Sequence, residues 1–195
     1  MIAFTAAVFF LLITPGPGVL TTAGVGAGFG AKAGLRFLTG LFIGTNLVAV
    51  AVITGMAAII FDYPIIRTVL AVVSFGYLAY LAFRIATAGA EIRFISHQSP
   101  PGLLGGVALQ AINPKAYAVN SALFTGFAIW PSAPSTELLF KFVVINSIWI
   151  PVHLLWLWAG VSLERLELSR IARRRINLLM SGSLMTVVIL AMFTI

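Results

Sequence analysis

The chain alternates between long apolar stretches and short polar separators, and this pattern predicts membrane-spanning helices. A helix needs about 20 mainly apolar residues to cross the hydrocarbon core of a bilayer. On that measure the sequence accommodates six spans, at residues 3–28, 37–61, 65–86, 103–127, 138–161 and 177–195. The separators between them are residues 30–34, 62–64, 91–101, 131–137 and 164–175. We therefore predict an all-α integral membrane protein with a single transmembrane domain over residues 1–195.

Two of the six spans are interrupted by proline near their centres. Thr14-Pro15-Gly16-Pro17-Gly18 lies in the first span, and Asn113-Pro114-Lys115 lies in the fourth. Proline in a helix interior removes a backbone hydrogen bond and costs about 3 kcal/mol or more. Because hydrocarbon offers no water to the freed groups, irregular backbone survives there only beside a protein-buried or water-filled cavity. We predict that both helices are broken and that the breaks line a binding site near the membrane midplane.

The positions of the breaks divide the chain into two similar halves. Residues 1–90 and residues 100–195 each contain three spans, and each half begins with a broken span. Since three crossings are an odd number, the second half enters the membrane in the opposite orientation. This pattern is typical of transporters built from inverted repeats, and it predicts two inverted three-helix repeats.

Basic residues are concentrated in the first, third and fifth loops. They are Lys32, Arg36, Arg84, Arg93, Arg165, Arg170, Arg173, Arg174 and Arg175. The second and fourth loops hold only Arg67 and Lys141, which are offset by Asp62 and Glu137. Because short basic loops remain in the cytoplasm, we expect both termini of this multi-pass membrane protein to lie outside. The run at residues 173–175 also suits the anionic headgroups of membrane lipid.

Composition narrows the functional classes. Hydrophobic residues make up 61% of the chain and charged residues 9%, whereas a soluble domain carries about 25% charged residues. The net charge of +7 arises from the loops, so nucleic-acid binding is not predicted. Cysteine is absent, and His97 and His153 have no carboxylate at ligand spacing, so no metal or other cofactor is expected. Without a nucleophile–base pair or a carboxylate cluster inside a span, an enzyme is not expected either.

The residues around the two breaks can bind an anion. Proline is favoured at the first position of a helix, and Thr or Asn before it can cap free amides, so each break is predicted to start a second half-helix. Such an N-terminus attracts the carboxylate of a zwitterionic substrate. Glycine lets the backbone approach a ligand closely, although accommodation of the kink alone would also explain the glycines. The predicted substrate-binding residues are Thr14, Pro15, Gly16, Pro17, Gly18, Asn46, Asn113, Pro114 and Lys115.

Lys115 is the candidate with the strongest physical argument. A lysine at the centre of a span costs about 2.5–3.5 kcal/mol on insertion scales and marks a functional site by default. It can bind a carboxylate or take part in proton coupling; the structural alternative is a bond to the C-terminal carbonyls of the preceding half-helix. His153 is a second candidate for proton coupling, with a packed, hydrogen-bonded histidine as the alternative. Asn46 is a candidate for the cavity wall, although interhelical hydrogen bonding also explains an asparagine in a span.

Four segments of the chain resemble the LysE/RhtB family of amino-acid exporters. Their sequences are LLITPGPGVL, GFGAKAGLRFLTGLFIG, GYLAYLAF and GGVALQAINPKA. The resemblance extends over nearly the full length, and its specific element is the combination of TPGP with NPK. The family's motif positions fall on Pro15, Gly16, Pro17, Asn113, Pro114 and Lys115. The chain departs from the pattern at Gly18, where many members have Asn, so the substrate preference of a well-known member does not transfer.

The resemblance implies a secondary transporter that exports amino acids or related small metabolites across the inner membrane, driven by proton antiport. A small-solute channel or a non-transporting membrane scaffold subunit is the alternative. The expected partners are a small-molecule substrate and membrane lipid, and the sequence leaves assembly into a homo-oligomer open. Nothing in the residues chooses among the substrates that the family covers.

Overall fold

The computed structural model describes residues 1–14, 16–55, 63–87 and 99–165, and residues 171–172, 174–175, 178–179, 181–182 and 185–186. Over these residues the chain is helical and contains no strand, which confirms the predicted all-α class. The helices are α1 (Ile2–Ile13), α2 (Pro17–Ile53), α3 (Pro64–Thr87), α4 (Leu103–Ile112), α5 (Pro114–Thr125) and α6 (Pro134–Arg165). Pro15, and most of the predicted sixth span, lie outside the described residues.

The first predicted span is broken where its proline motif lies. α1 ends at Ile13, and α2 begins at Pro17. Between them Thr14 has a ψ of 123° and Gly16 is fully extended, with φ −157° and ψ 178°. The Thr14 amide and hydroxyl both donate to the Phe10 carbonyl, at 3.2 and 2.6 Å, and so complete the last turn of α1. The predicted interruption of this helix is confirmed.

The fourth predicted span is broken at a single residue. α4 ends at Ile112, α5 begins at Pro114, and Asn113 between them is extended, with φ −77° and ψ 107°. The Asn113 Oδ1 atom accepts the amide of Lys115 at 3.1 Å, while Pro114 has no amide that needs a partner. Asn113 is therefore the predicted N-cap of a second half-helix, and this prediction is also confirmed.

The first and second predicted spans are joined more tightly than the sequence pattern suggested. We expected a separator at residues 30–34, but helical structure continues through it and α2 runs for 37 residues. The interruption within α2 is confined to Gly30, with φ 77° and ψ 177°. A side chain rarely tolerates this positive φ. The helix is therefore interrupted at a single glycine, where a separator of five residues was predicted.

Long apolar helices are present, although not one for each predicted span. Within the described residues, Pro17–Ile53 and Pro134–Ser162 are long and apolar enough to cross a membrane, while Ile2–Ile13 and Leu103–Ile112 are shorter apolar helices. The short helices are the first halves of the two broken spans. The division of the chain into six spans and two inverted repeats stays a prediction.

Close backbone contact fixes α2 against α4. A β-carbon at Gly40 would overlap the carbonyl of Leu103, and one at Gly106 would overlap the carbonyl of Phe37. At Gly44 it would lie 2.8 Å from the β-carbon of Gln110. The small residues 40 and 44 thus let the two backbones approach closely, as expected of small-residue spacing in membrane helices. This packing brings the end of α4, and with it the Asn113 break, against α2.

The first half of α2 and all of α1 pack against α6. A β-carbon at Gly160 would overlap the carbonyl of Ala23 in α2. Phe4 and Val8 of α1 form a buried cluster with Leu123 of α5 and Ile145 of α6. The break between α1 and α2 therefore lies beside α5 and α6.

Substitution of Gly40 tests the closest of these contacts. We expect Gly40→Ala to lower the stability of the protein by about 1–3 kcal/mol, because the added methyl group meets backbone that cannot move aside. Gly76→Ala in α3 is the control, since a β-carbon there meets nothing within 4 Å among the described residues. The measurement is the thermal unfolding midpoint in detergent. Equal midpoints for the two variants would contradict the packing described here.

Candidate functional site

A cavity of about 60 Å³ lies between the two helix breaks. Since a water molecule needs about 10–15 Å³ of such volume, the cavity has room for water. Its polar lining residues are Thr14, Thr45, Gln110, Asn113, Lys115, Asn120 and His153. Its apolar lining residues include Leu11, Leu12, Val19, Ala116, Val119, Leu123, Ile145 and Trp149. Polar groups from both breaks thus share one space with an apolar wall.

Lys115 joins the two breaks directly. Its Nζ atom donates to the carbonyl oxygen of Thr14 at 2.6 Å. In an unbroken helix the Thr14 carbonyl would accept the amide of Gly18, so the break leaves this carbonyl in need of another donor. The structural alternative considered for Lys115 placed it on the preceding half-helix of its own span. The carbonyl that it contacts belongs instead to the first broken span, 101 residues away.

Gly16 and Gly18 are in different surroundings although they belong to one motif. A β-carbon at Gly16 would lie 2.8 Å from Cδ and 2.9 Å from Nζ of Lys115. At Gly18 it would lie 3.7 Å from Nε2 of His153 and 4.0 Å from Nε2 of Gln110, which is ordinary contact. Gly16 therefore provides the space through which Lys115 reaches Thr14, whereas Gly18 has room for a methyl group.

Gln110 is a cavity residue that the sequence analysis missed. It is buried, and its Oε1 accepts the Asn113 Nδ2 group at 2.9 Å. This bond orients the Asn113 amide so that its oxygen faces the Lys115 amide. A signal was available in the sequence, because Gln110 is a polar residue one helical turn before Asn113 in an otherwise apolar segment.

His153 is buried with one ring nitrogen occupied and the other facing the cavity. Its ring stacks on Trp149 with centroids 3.7 Å apart and planes 14° apart. Its Nδ1 lies 2.9 Å from the Trp149 carbonyl oxygen. Because a carbonyl oxygen only accepts, this bond requires a proton on Nδ1, and in the neutral ring Nε2 is then an acceptor. That Nε2 is on the side of Gly18.

Asn46 lies opposite an asparagine of the other half of the chain. Asn46 and Asn146 exchange two hydrogen bonds of 3.1 Å, Nδ2 to Oδ1 in both directions. Each Nδ2 also donates to a backbone carbonyl of its own helix, that of Phe42 or Phe142. Asn46 is not among the described residues that line the cavity. Its role as a substrate ligand stays a prediction, and so do those of Pro17 and Pro114, which begin the two half-helices.

A second lysine, Lys141, is buried, and its ammonium bonds only to groups of the protein. The Lys141 ammonium donates to the carbonyls of Phe124 and Phe127, at 2.9 and 2.5 Å, and pairs with Glu137 Oε1 at 2.6 Å. These three partners use the three N–H groups of an ammonium. The other oxygen of Glu137 accepts two amides of the loop after α5. Lys141 and Glu137 therefore hold the end of α5.

The polar groups of the cavity suit a negatively charged group. Among the described residues that line it, Lys115 is the one lysine or arginine, and none carries a carboxylate. The N-termini of α2 and α5 both begin beside it, and such termini attract anions. Within the described residues no group of three or more His, Cys, Asp or Glu could hold a metal ion.

Comparison with known proteins gives a family match over most of the chain. The sequence model of the LysE type translocator family matches residues 9–194. This match confirms the resemblance inferred from the proline motifs and assigns the chain to a class of transporters rather than enzymes. A curated relative, the leucine efflux protein of Enterobacter sp. (strain 638), is 26% identical over 129 residues. That alignment covers 64% of this chain and 61% of the relative. No solved structure matches.

The Asn113 cap can be tested by two substitutions of different severity. Asn113→Ala removes both the acceptor for the Lys115 amide and the donor to Gln110, and we expect it to lower stability by about 0.5–2 kcal/mol, as for other lost caps. Asn113→Ser keeps a capping oxygen and is expected to lose less. The check is the thermal unfolding midpoint of both variants in detergent. A larger loss in the serine variant would show that the cap is not what Asn113 contributes.

Proposed function

The chain belongs to the LysE type translocator family, and on that premise we propose that it exports amino acids or related small metabolites across the inner membrane. The observation that carries the proposal is the cavity between the two helix breaks, which the Lys115–Thr14 hydrogen bond spans. Irregular backbone inside a membrane requires a protein-buried or water-filled space. In transporters such a space is where substrates bind.

The carboxylate of the substrate binds, in this proposal, at the half-helix that starts at Asn113. Lys115 supplies a positive charge there, and the amides of the first turn of α5 add the positive end of the helix dipole. The first turn of α2 supplies a second set of amides, those of Gly18 and Val19, since Pro17 has none. Support comes from geometry, since Lys115, Gly16 and Gly18 all border the same space.

The side chain of the substrate is proposed to be uncharged and apolar. Leu12, Val119, Leu123 and Ile145 form much of the cavity wall, and the described lining residues include no carboxylate that would pair with a cationic side chain. A curated relative of this chain is named a leucine efflux protein, and an apolar cavity wall suits a leucine side chain. Leucine is therefore the first amino acid to test.

Proton antiport is proposed as the driving force, with Lys115 and His153 as the groups that exchange protons. Both line the cavity, and both are of types that can gain and lose a proton when buried. The cavity-facing Nε2 of His153 is the basic atom of a neutral ring whose Nδ1 is bonded to Trp149.

The proposed membrane arrangement is six spans in two inverted repeats, with both termini outside and the outer helix faces against lipid. Reciprocal contacts support it. The second half of α2 packs on α4, and α6 packs on α1. Because the proposed repeat relates α1 to α4 and the second half of α2 to α6, a twofold relation between the halves would require both contacts. The Asn46–Asn146 pair joins residues 100 apart, close to the spacing of the two breaks.

Lys115→Ala tests the transport site. We expect leucine efflux from cells, or uptake into inverted vesicles, to fall to the level of vesicles without the protein, because the substrate carboxylate loses its partner. Lys32→Ala is the control, since Lys32 is exposed near the Gly30 interruption and its loss should leave transport intact.

The assay also separates the proposal from a pore or a scaffold. Saturable uptake that follows the proton gradient fits a transporter, and rapid downhill leakage fits a pore. Full activity of Lys115→Ala at normal membrane levels would refute the site.

His153→Gln tests the coupling role. Glutamine can still donate to the Trp149 carbonyl but cannot carry a proton between states. We expect exchange of labelled for unlabelled leucine to persist, while accumulation driven by a pH gradient is lost. Undiminished gradient-driven accumulation would exclude His153 as a coupling residue and leave Lys115 as the candidate.

A further inference from the structure

The Thr14 carbonyl is an acceptor that faces the cavity and is already in contact with an ammonium group. The break in the first span removes its helical donor, and Lys115 Nζ donates to it at 2.6 Å. Lys115 reaches it with a flexible four-carbon side chain whose ammonium can rotate and withdraw. The contact is therefore one that a different ammonium group could make in its place.

A zwitterionic substrate brings both an ammonium and a carboxylate into this space. Its ammonium needs oxygen acceptors, and the described residues that line the cavity provide no carboxylate for it. Its carboxylate needs a cation, and Lys115 is the one lysine or arginine among those residues. Lys115 could in principle bind the substrate carboxylate while it kept its bond to Thr14. The substrate ammonium would then lie next to the Lys115 ammonium, and two like charges repel strongly in a cavity of low dielectric.

We propose that the Thr14 carbonyl is the subsite for the substrate's ammonium group, and that Lys115 occupies it as an internal stand-in until substrate arrives. On binding, the substrate ammonium takes the Thr14 carbonyl while Lys115 moves to the substrate carboxylate. Every charged group then keeps a partner throughout. The Thr14 carbonyl also keeps a hydrogen-bond donor, and an acceptor left without one would be costly. This inference rests on the proposed function, because it assigns the two ends of the amino acid within that site.

The shape of the site agrees with this exchange. The end of the Lys115 side chain lies over Gly16, within 2.8–2.9 Å of where a β-carbon would be. When Lys115 withdraws, the space that it vacates is next to the Thr14 carbonyl and open to the cavity. A ligand ammonium and the carbon that carries it would occupy the volume now filled by Nζ and its neighbouring methylene.

The first test uses 3-methylbutylammonium, which is leucine without its carboxylate. In Lys115→Met the Thr14 carbonyl has no ammonium, so the probe should raise the thermal unfolding midpoint of the detergent-purified protein. We expect half-maximal stabilisation at a concentration about tenfold lower than in the wild type, as pairing one bare acceptor with a charged donor implies. The uncharged 3-methylbutan-1-ol, whose hydroxyl is a single neutral donor, should show a clearly smaller difference. Equal response of wild type and Lys115→Met to the ammonium probe would overturn the proposal.

The second test blocks the same subsite while keeping Lys115. In Gly16→Ala the new methyl group takes up space now filled by the end of the lysine side chain, and the extended backbone at Gly16, with φ −157°, accepts alanine. Because the substrate ammonium needs that same volume beside Thr14, leucine should stabilise Gly16→Ala only at about tenfold higher concentration than wild type. Gly18→Ala is the matched variant, since its β-carbon avoids Lys115, and it should lower the affinity less. Unchanged or tighter leucine binding in Gly16→Ala would contradict the subsite.

The two tests separate this inference from the proposed function. Absence of leucine transport and binding in the wild type would refute amino-acid export of this kind, yet the ammonium probe would still show whether Thr14 is a cation subsite. Normal leucine transport with no effect of the probe on Lys115→Met would leave export standing and remove the subsite.

Discussion

A backbone carbonyl that loses its helical partner inside a membrane must find another donor, and this constraint organises the structure. At Thr14 the donor is Lys115, from the other proline break. The need is mutual, because an intramembrane ammonium is itself costly without oxygen partners. Each break therefore supplies what the other lacks. The two motifs are effective as a pair, and either alone would leave an unpaired polar group in an apolar setting.

That pairing depends on helix packing that holds both breaks at one place. The contacts at Gly40 and Gly106 set α4 against α2, and this fixes where Asn113 and Lys115 emerge. The cluster of Phe4, Val8, Leu123 and Ile145 sets α1 against α5 and α6, which fixes Thr14. The cavity is thus framed by close contacts of small residues and buried apolar side chains, while Thr14, Gly16 and Asn113 lie on the short extended segments between the helices.

A buried lysine, Lys141, and a partly buried one, Lys115, have very different surroundings. Lys141 has two carbonyls and a carboxylate around its ammonium, all within one loop and the adjoining helix ends. Its capacity for hydrogen bonds is filled, so it stabilises the end of α5 and has no donor left for a ligand. Lys115 has the Thr14 carbonyl at 2.6 Å and otherwise borders a cavity. The sequence already separated the two lysines, one at the centre of a span and one beside Glu137 near a loop, and the structure adds the partners that each ammonium has.

The local chemistry of the chain determined the class of the protein, the helix breaks and the cap at Asn113. These follow from mean hydropathy, from the missing amide of proline and from the capping oxygen of asparagine, all of which act within a few residues. The interruption at Gly30 was placed in a wider separator than the structure has, since a single positive φ suffices there. The Gln110–Asn113 bond and the His153–Trp149 stack join residues three and four positions apart, which helical spacing brings together. The bond from Lys115 to Thr14 and the Asn46–Asn146 pair were decided by tertiary structure, because each connects residues about 100 positions apart. Which partners meet depends on how helices pack against one another, and that packing is a property of the whole fold rather than of any segment.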